Sequence, residues 1–97
     1  MIRTILVDDE QRGINSLRKM LEQHSADVEI VAECLDANTA KEKFLQCIPD
    51  LVFLDISMPG KSGFDLLNEM EDINFEIIFV MMIKESSFFL IQNFENQ

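Results

Sequence analysis

Three acidic residues carry most of the chemistry legible in this chain. Asp8 and Asp9 follow the apolar run Ile2 to Val7, and Asp55 follows the apolar run Leu51 to Leu54. If those runs are neighbouring strands, three carboxylates meet at one end of a sheet, and like charges held together need a cation or a shared proton to offset them. Mg2+ is the natural cation, because it prefers oxygen ligands and is usually held by one or two carboxylates together with waters and phosphate oxygens. Around such an ion one carboxylate could attack an incoming phosphoryl group while the metal neutralises its charge. Asp55 is the best nucleophile, since it ends a buried strand and precedes a turn-rich loop that leaves it facing the pocket mouth. Asp9 is the better metal ligand. Asp8 acts through a metal-bound water or as a charge partner, and the backbone carbonyl of Ser57, two residues beyond Asp55, completes the coordination.

Each motif taken singly has a plainer reading. Consecutive acids after a strand commonly make a turn and cap the next helix. An Asp after a buried strand is a common way to begin a turn. The case for chemistry therefore rests on the joint occurrence of the acids in an alternating β/α pattern.

The elements that must position them follow from periodicity. Ile2 to Val7 reads as a buried strand opening into the acidic stretch Asp8, Asp9 and Glu10. Ile14, Leu17, Met20 and Leu21 recur at helical spacing over Gln11 to Gln23. Val28 to Ala32 alternates as a second strand, and Asp36 can cap a helix carrying Ala37, Ala40, Phe44 and Cys47 on one side and ending at Pro49. Leu51 to Leu54 is a third strand, and the loop from Ile56 to Gly63 is dense in turn formers. A third helix over about Phe64 to Met70 and a fourth strand over Glu76 to Val80 complete the pattern. Alternating strands and helices predict an α/β fold with a doubly wound parallel sheet. In such sheets ligands bind beyond the carboxyl ends of the strands, where the winding reverses, and Asp8, Asp9 and Asp55 all lie at ends of that kind.

Composition bounds the alternatives. A chain of 97 residues, 47% apolar, has room for one domain with one core. The net charge of −10 argues against nucleic-acid binding through this segment, because DNA affinity depends on Lys and Arg neutralising phosphates. No apolar run approaches the ~20 residues of a membrane span. Cys34 and Cys47 lack CxxC spacing, and no leader-like segment precedes the first strand, so reduced thiols in a cytoplasm are expected.

Ile5-Leu6-Val7-Asp8-Asp9-Glu10, followed by Asp50-Leu51-Val52-Phe53-Leu54-Asp55-Ile56-Ser57-Met58-Pro59-Gly60-Lys61-Ser62-Gly63, is similar to the signature of the response regulator receiver domain. The resemblance covers residues 1 to about 80, and the sequence around it looks like the receivers that precede LytTR-type DNA-binding domains. It implies a flavodoxin-like fold with strand order 2-1-3-4 and a fifth parallel strand. It further implies a phosphoryl group taken on Asp55 from a sensor histidine kinase, and Mg2+ held by the positions of Asp9, Asp55 and the Ser57 carbonyl, with Asp8 as second acid. Pro59 and Gly63 match residues that shape the loop beside the site.

Two features of the family are missing. Receivers carry Thr or Ser at the end of the fourth strand, where Met81 stands here and has no hydroxyl to donate. They also carry a Lys-Pro pair after the fifth strand. The chain has none, and Lys84, read as a solvated loop residue, is the only lysine after the fourth strand. Against the family's roughly 120 residues the chain ends about one strand and one helix short, as a truncated or frame-shifted gene would leave it. For the divergent tail, Phe88, Ile91 and Phe94 fall on nearly one face of a helix capped by Ser86 or Ser87, the reading the spacing favours; the alternative is a turn over Lys84 to Ser87 and an antiparallel edge strand. Either leaves an apolar edge open to self-association. The functional expectations are a Mg2+-dependent phosphoacceptor regulating an output such as transcription, or a receiver-like interaction or dimerisation module that no longer switches. A phosphatase of the same winding is disfavoured, because its second acid would stand where Ser57 is.

Overall fold

The computed structural model describes residues 1–94 apart from Ser57, Pro59, Lys61, Glu71, Glu85 and Ser86, with side chains described through Met81. The elements run β1 (Ile2–Val7), α1 (Gln11–His24), β2 (Val28–Cys34), α2 (Ala37–Cys47), β3 (Leu51–Asp55), α3 (Gly63–Asn68), β4 (Glu76–Lys84) and β5 (Ser87–Phe94). They form a five-stranded sheet in the order β2-β1-β3-β4-β5. The first four strands are parallel, and β5 is antiparallel to β4.

Parallel strands covered on both faces read as unbroken apolar runs, and β1 and β3 do so because alternate side chains enter two cores. Ile5 and Val7 of β1, Val52 and Leu54 of β3, and Ile77 and Phe79 of β4 pack with α2 and α3. Leu6, Phe53 and Val80 point the other way, onto Ile14, Leu17 and Leu21 of α1. The apolar stripe of α1 thus lands where its 3.6-residue period requires.

The start of α2 is built locally: the Asp36 carboxylate accepts the Thr39 N–H at 2.8 Å, which holds its pKa below the ordinary value. The helix ends at Cys47, with Ile48 in the left-handed region (φ 47°) immediately before Pro49, which bars further helix. Arg3 of β1 donates from its guanidinium to the exposed Cys47 carbonyl at 2.7 Å. Its backbone N–H donates to the Asp50 carboxylate at 2.9 Å. These bonds tie the start of β3 to the start of β1.

The tail corrects the expectation drawn from spacing. Ser87–Phe94 is a strand, not a helix, pairing with β4 at positions such as Val80 with Leu90 and Met81 with Phe89. The edge of β4 would otherwise present a row of unpaired N–H and C=O groups, and a returning segment rich in Phe, Leu and Ile satisfies them. The pairing also lengthens β4 to Lys84, four residues past the expected end at Val80, so Lys84 closes a strand and is not a loop residue. Its side chain lies outside the described residues.

Candidate functional site

The carboxyl ends of β1 and β3 lie side by side, with Val7 opposite Leu54 in the parallel register. The chain leaves β1 toward β2 on one side, and β3 lies on the other, so this is where the winding reverses. Asp8 and Asp9 emerge from the first strand and Asp55 closes the second. Each offers a carboxylate oxygen, and these oxygens all lie within 4.8 Å of one another. The three acids singled out by sequence are therefore brought together. Ser57 and Pro59 lie outside the described residues.

Asp8 is the most enclosed of the three, at 9% exposure. Its backbone N–H donates to the Cys34 carbonyl of β2 at 3.0 Å, continuing the β1 ladder past Val7. Its side-chain oxygen accepts the Glu10 N–H at 2.9 Å. Burial pushes the Asp8 carboxyl above its ordinary value of 3.8; the Glu10 N–H opposes the shift and the neighbouring Asp9 charge adds to it. The turn expected of such a pair of acids is thus present, yet α1 is capped at Glu10 with no side-chain bond. Asp8 and Asp9 do not serve as its cap.

The loop after β3 is anchored at both ends. Ile56 N–H donates to the Val80 carbonyl at 3.2 Å, and Gly63 N–H donates to the Ile56 carbonyl at 3.0 Å. A Cβ on Gly63 would stand 2.7 Å from the Asp55 carbonyl oxygen, so the loop can return this closely only over a glycine. Ser62 then starts α3 with a reciprocal capping box, its hydroxyl taking the Asp65 N–H and the Asp65 carboxylate taking the Ser62 N–H. Met81, in the position where the receiver pattern has a hydroxyl, is 47% exposed. Gly13, which the sequence reading passed over, approaches the Asp8 carboxylate; its one signal in sequence is a glycine inside a helical pattern.

The donor set fits a hard divalent ion: three carboxylates, no thiolate and no imidazole, with the most buried carboxyl disfavoured as an anion unless something compensates it. Cys34 is fully buried, and burial pushes its thiol up to about 11, so it is no competing soft ligand; both cysteines are free.

A parallel sheet in the order 2-1-3-4, with an acidic cluster at the switch point, defines a flavodoxin-like receiver module. Residues 4–95 match the family model described as the response regulator receiver domain, and the chain belongs to that family. It is 41% identical over 87 residues to a response regulatory protein of Yersinia pestis, covering 88% of this chain and 36% of that protein. It is 37% identical over 68 residues to the sensory transduction protein LytT of Bacillus cereus, covering 70% of this chain and 27% of the relative. Among solved structures it is similar to the response regulator domain of Thermotoga maritima CheB, with a TM-score of 0.72 at 28% identity, covering 81% of this chain and 59% of that one. The chain spans well under half the length of these curated relatives. Receivers of this family are signalling domains that interact with sensor histidine kinases and bind Mg2+ at an acidic pocket. No helix among the described residues is long and apolar enough to cross a membrane.

Proposed function

We propose that residues 1–97 form one phosphoacceptor domain of a bacterial two-component response regulator, with Asp55 taking the phosphoryl group from a sensor histidine kinase in the cytoplasm. The observation that carries this reading is the convergence of Asp8, Asp9 and Asp55 on one point at the switch of the sheet. An Asp55 oxygen attacks phosphorus as the bond to the kinase histidine nitrogen breaks, leaving an acyl phosphate on Asp55. Asp9, Asp55 and the Ser57 carbonyl would hold Mg2+, with Asp8 reaching it through water. The ion would neutralise charge on the transferring group. The output, transcription by the LytTR resemblance, would belong to a separate DNA-binding region, since a segment of net charge −10 is repelled by nucleic acid.

Incubation with acetyl phosphate and Mg2+ is expected to add ~80 Da to the intact mass, and Asp55→Asn is expected to abolish the gain. An unmodified wild-type mass under these conditions overturns the assignment.

A second reading, a receiver-like module that associates without switching, is favoured by two observations. Met81 offers no hydroxyl to couple phosphorylation to the sheet, and β5, an edge strand, carries no charged residue over Ser87–Phe94. Pairing of two such edges would give a dimer. Light scattering over a concentration series is then expected to show dimer in wild type and Asp55→Asn alike. Monomer throughout removes this reading.

A further inference from the structure

We propose that Gly13 is a positioning residue for the acidic cluster: it keeps open the recess that holds the Asp8 carboxylate. The inference rests on the reading of Asp8, Asp9 and Asp55 as a cation site and adds a residue to it.

Gly13 is the third residue of α1. A Cβ built there would lie 2.1 Å from Asp8 Oδ2, 2.8 Å from Cγ and 3.3 Å from Oδ1. All three atoms of the Asp8 carboxylate, the end of a short side chain, occupy the space a side chain at position 13 would need. Backbone conformation does not explain the glycine, because among the described residues φ is positive at Ile48 and Gly60. A glycine inside a helix is unfavourable relative to alanine, so its use here is accounted for by the space it leaves. Its own N–H is spent on the Glu10 carbonyl at 3.1 Å, so it acts by absence of bulk and not as a donor to the acids.

Asp8 has little freedom to yield. It is 9% exposed, and one oxygen accepts the Glu10 N–H at 2.9 Å. A methyl at position 13 must turn the carboxylate out of the recess. That breaks the bond to Glu10 and changes the direction in which Asp8 faces the cation.

The test compares wild type, Gly13→Ala, Asp8→Ala and the double variant, without phosphoryl donor. Two quantities are read: the Mg2+ concentration at half-maximal thermal stabilisation, and hydrogen exchange of the Glu10 amide in metal-free buffer. Gly13→Ala is expected to raise the Mg2+ midpoint by about tenfold and to speed Glu10 exchange by about tenfold. In the Asp8→Ala background it is expected to change neither, since its effect runs through that carboxylate. A purely helical role predicts the opposite: a more stable protein, with Mg2+ midpoint and Glu10 exchange within about twofold of wild type, and that result overturns the proposal. A wild type that does not respond to Mg2+ counts against the cation site itself, whereas the Glu10 amide still decides the role of Gly13.

Discussion

Asp8→Asn is expected to stabilise the metal-free protein at neutral pH by about 1–2 kcal/mol and to remove most of its response to Mg2+. Two unit charges at 4.8 Å, the limit that encloses the cluster, repel by about 3.5 kcal/mol at an effective dielectric of about 20. Asp9 and Asp55 are only half-buried, so solvent screening reduces that figure severalfold. Asparagine keeps an oxygen to accept the Glu10 N–H, so the main change is the loss of charge, with one acceptor oxygen becoming an NH2 donor. In wild type a saturating cation offsets the same repulsion: binding at a hundredfold over Kd adds about 2.7 kcal/mol. The variant gains stability without metal and loses the gain from metal, an inversion that generic damage to the fold does not produce.

The pH dependence of that difference has a definite sign. Burial raises the Asp8 pKa in the folded state above 3.8, so the folded protein binds this proton more tightly than the unfolded chain. The stability that Asp8 contributes is fully present below about pH 3.8 and is lost as pH rises through the higher folded-state value. The gap between Asp8→Asn and metal-free wild type should therefore be small in acid, open as pH rises through that window, and stay constant at neutral pH. Denaturant melts at a series of pH values measure it. A gap that closes toward neutral pH contradicts the placement of Asp8 as a buried, charge-strained carboxylate.

The parts of this molecule legible in sequence are those whose structure is decided locally or by burial on both faces. β1 and β3 announce themselves as unbroken apolar runs because each supplies alternate residues to two cores. The cap at Asp36 needs only Thr39, three residues on. The meeting of Asp8, Asp9 and Asp55 followed from strand order, since parallel strands deliver their carboxyl ends to one side. The tail failed for the converse reason. Phe88, Ile91 and Phe94 satisfy a helical period, but the outcome turned on the free edge of β4, which is a tertiary matter and outweighs local spacing. Gly13 carried only the signal of a glycine inside a helical pattern, because its significance depends on where the Asp8 carboxylate turns after the strand ends.

Ending the chain after Lys84 is expected to abolish cooperative unfolding and drive the protein into aggregates. β4 holds Ile77 and Phe79 in one core and Val80 in the other, so both cores depend on its staying in register. With β5 present, β4 is an interior strand, paired with β3 on one side and β5 on the other. Without it, β4 becomes a nine-residue edge whose seven central residues, Ile77 to Ile83, carry no charge or proline. Long neutral edges of that kind pair with other chains. Ile91→Pro in the full chain probes the same pairing without shortening it, since proline holds φ near about −65° and so disfavours the extended backbone that pairs opposite Phe79. It is expected to lower the thermal midpoint by about 10 °C, the shift that roughly 2 kcal/mol produces in a chain of this size. A deletion variant that stays soluble and melts cooperatively near the wild-type temperature would show that β4 holds its place through β3 alone. The antiparallel strand would then be an appendage of the sheet and not the element that replaces its fifth parallel strand.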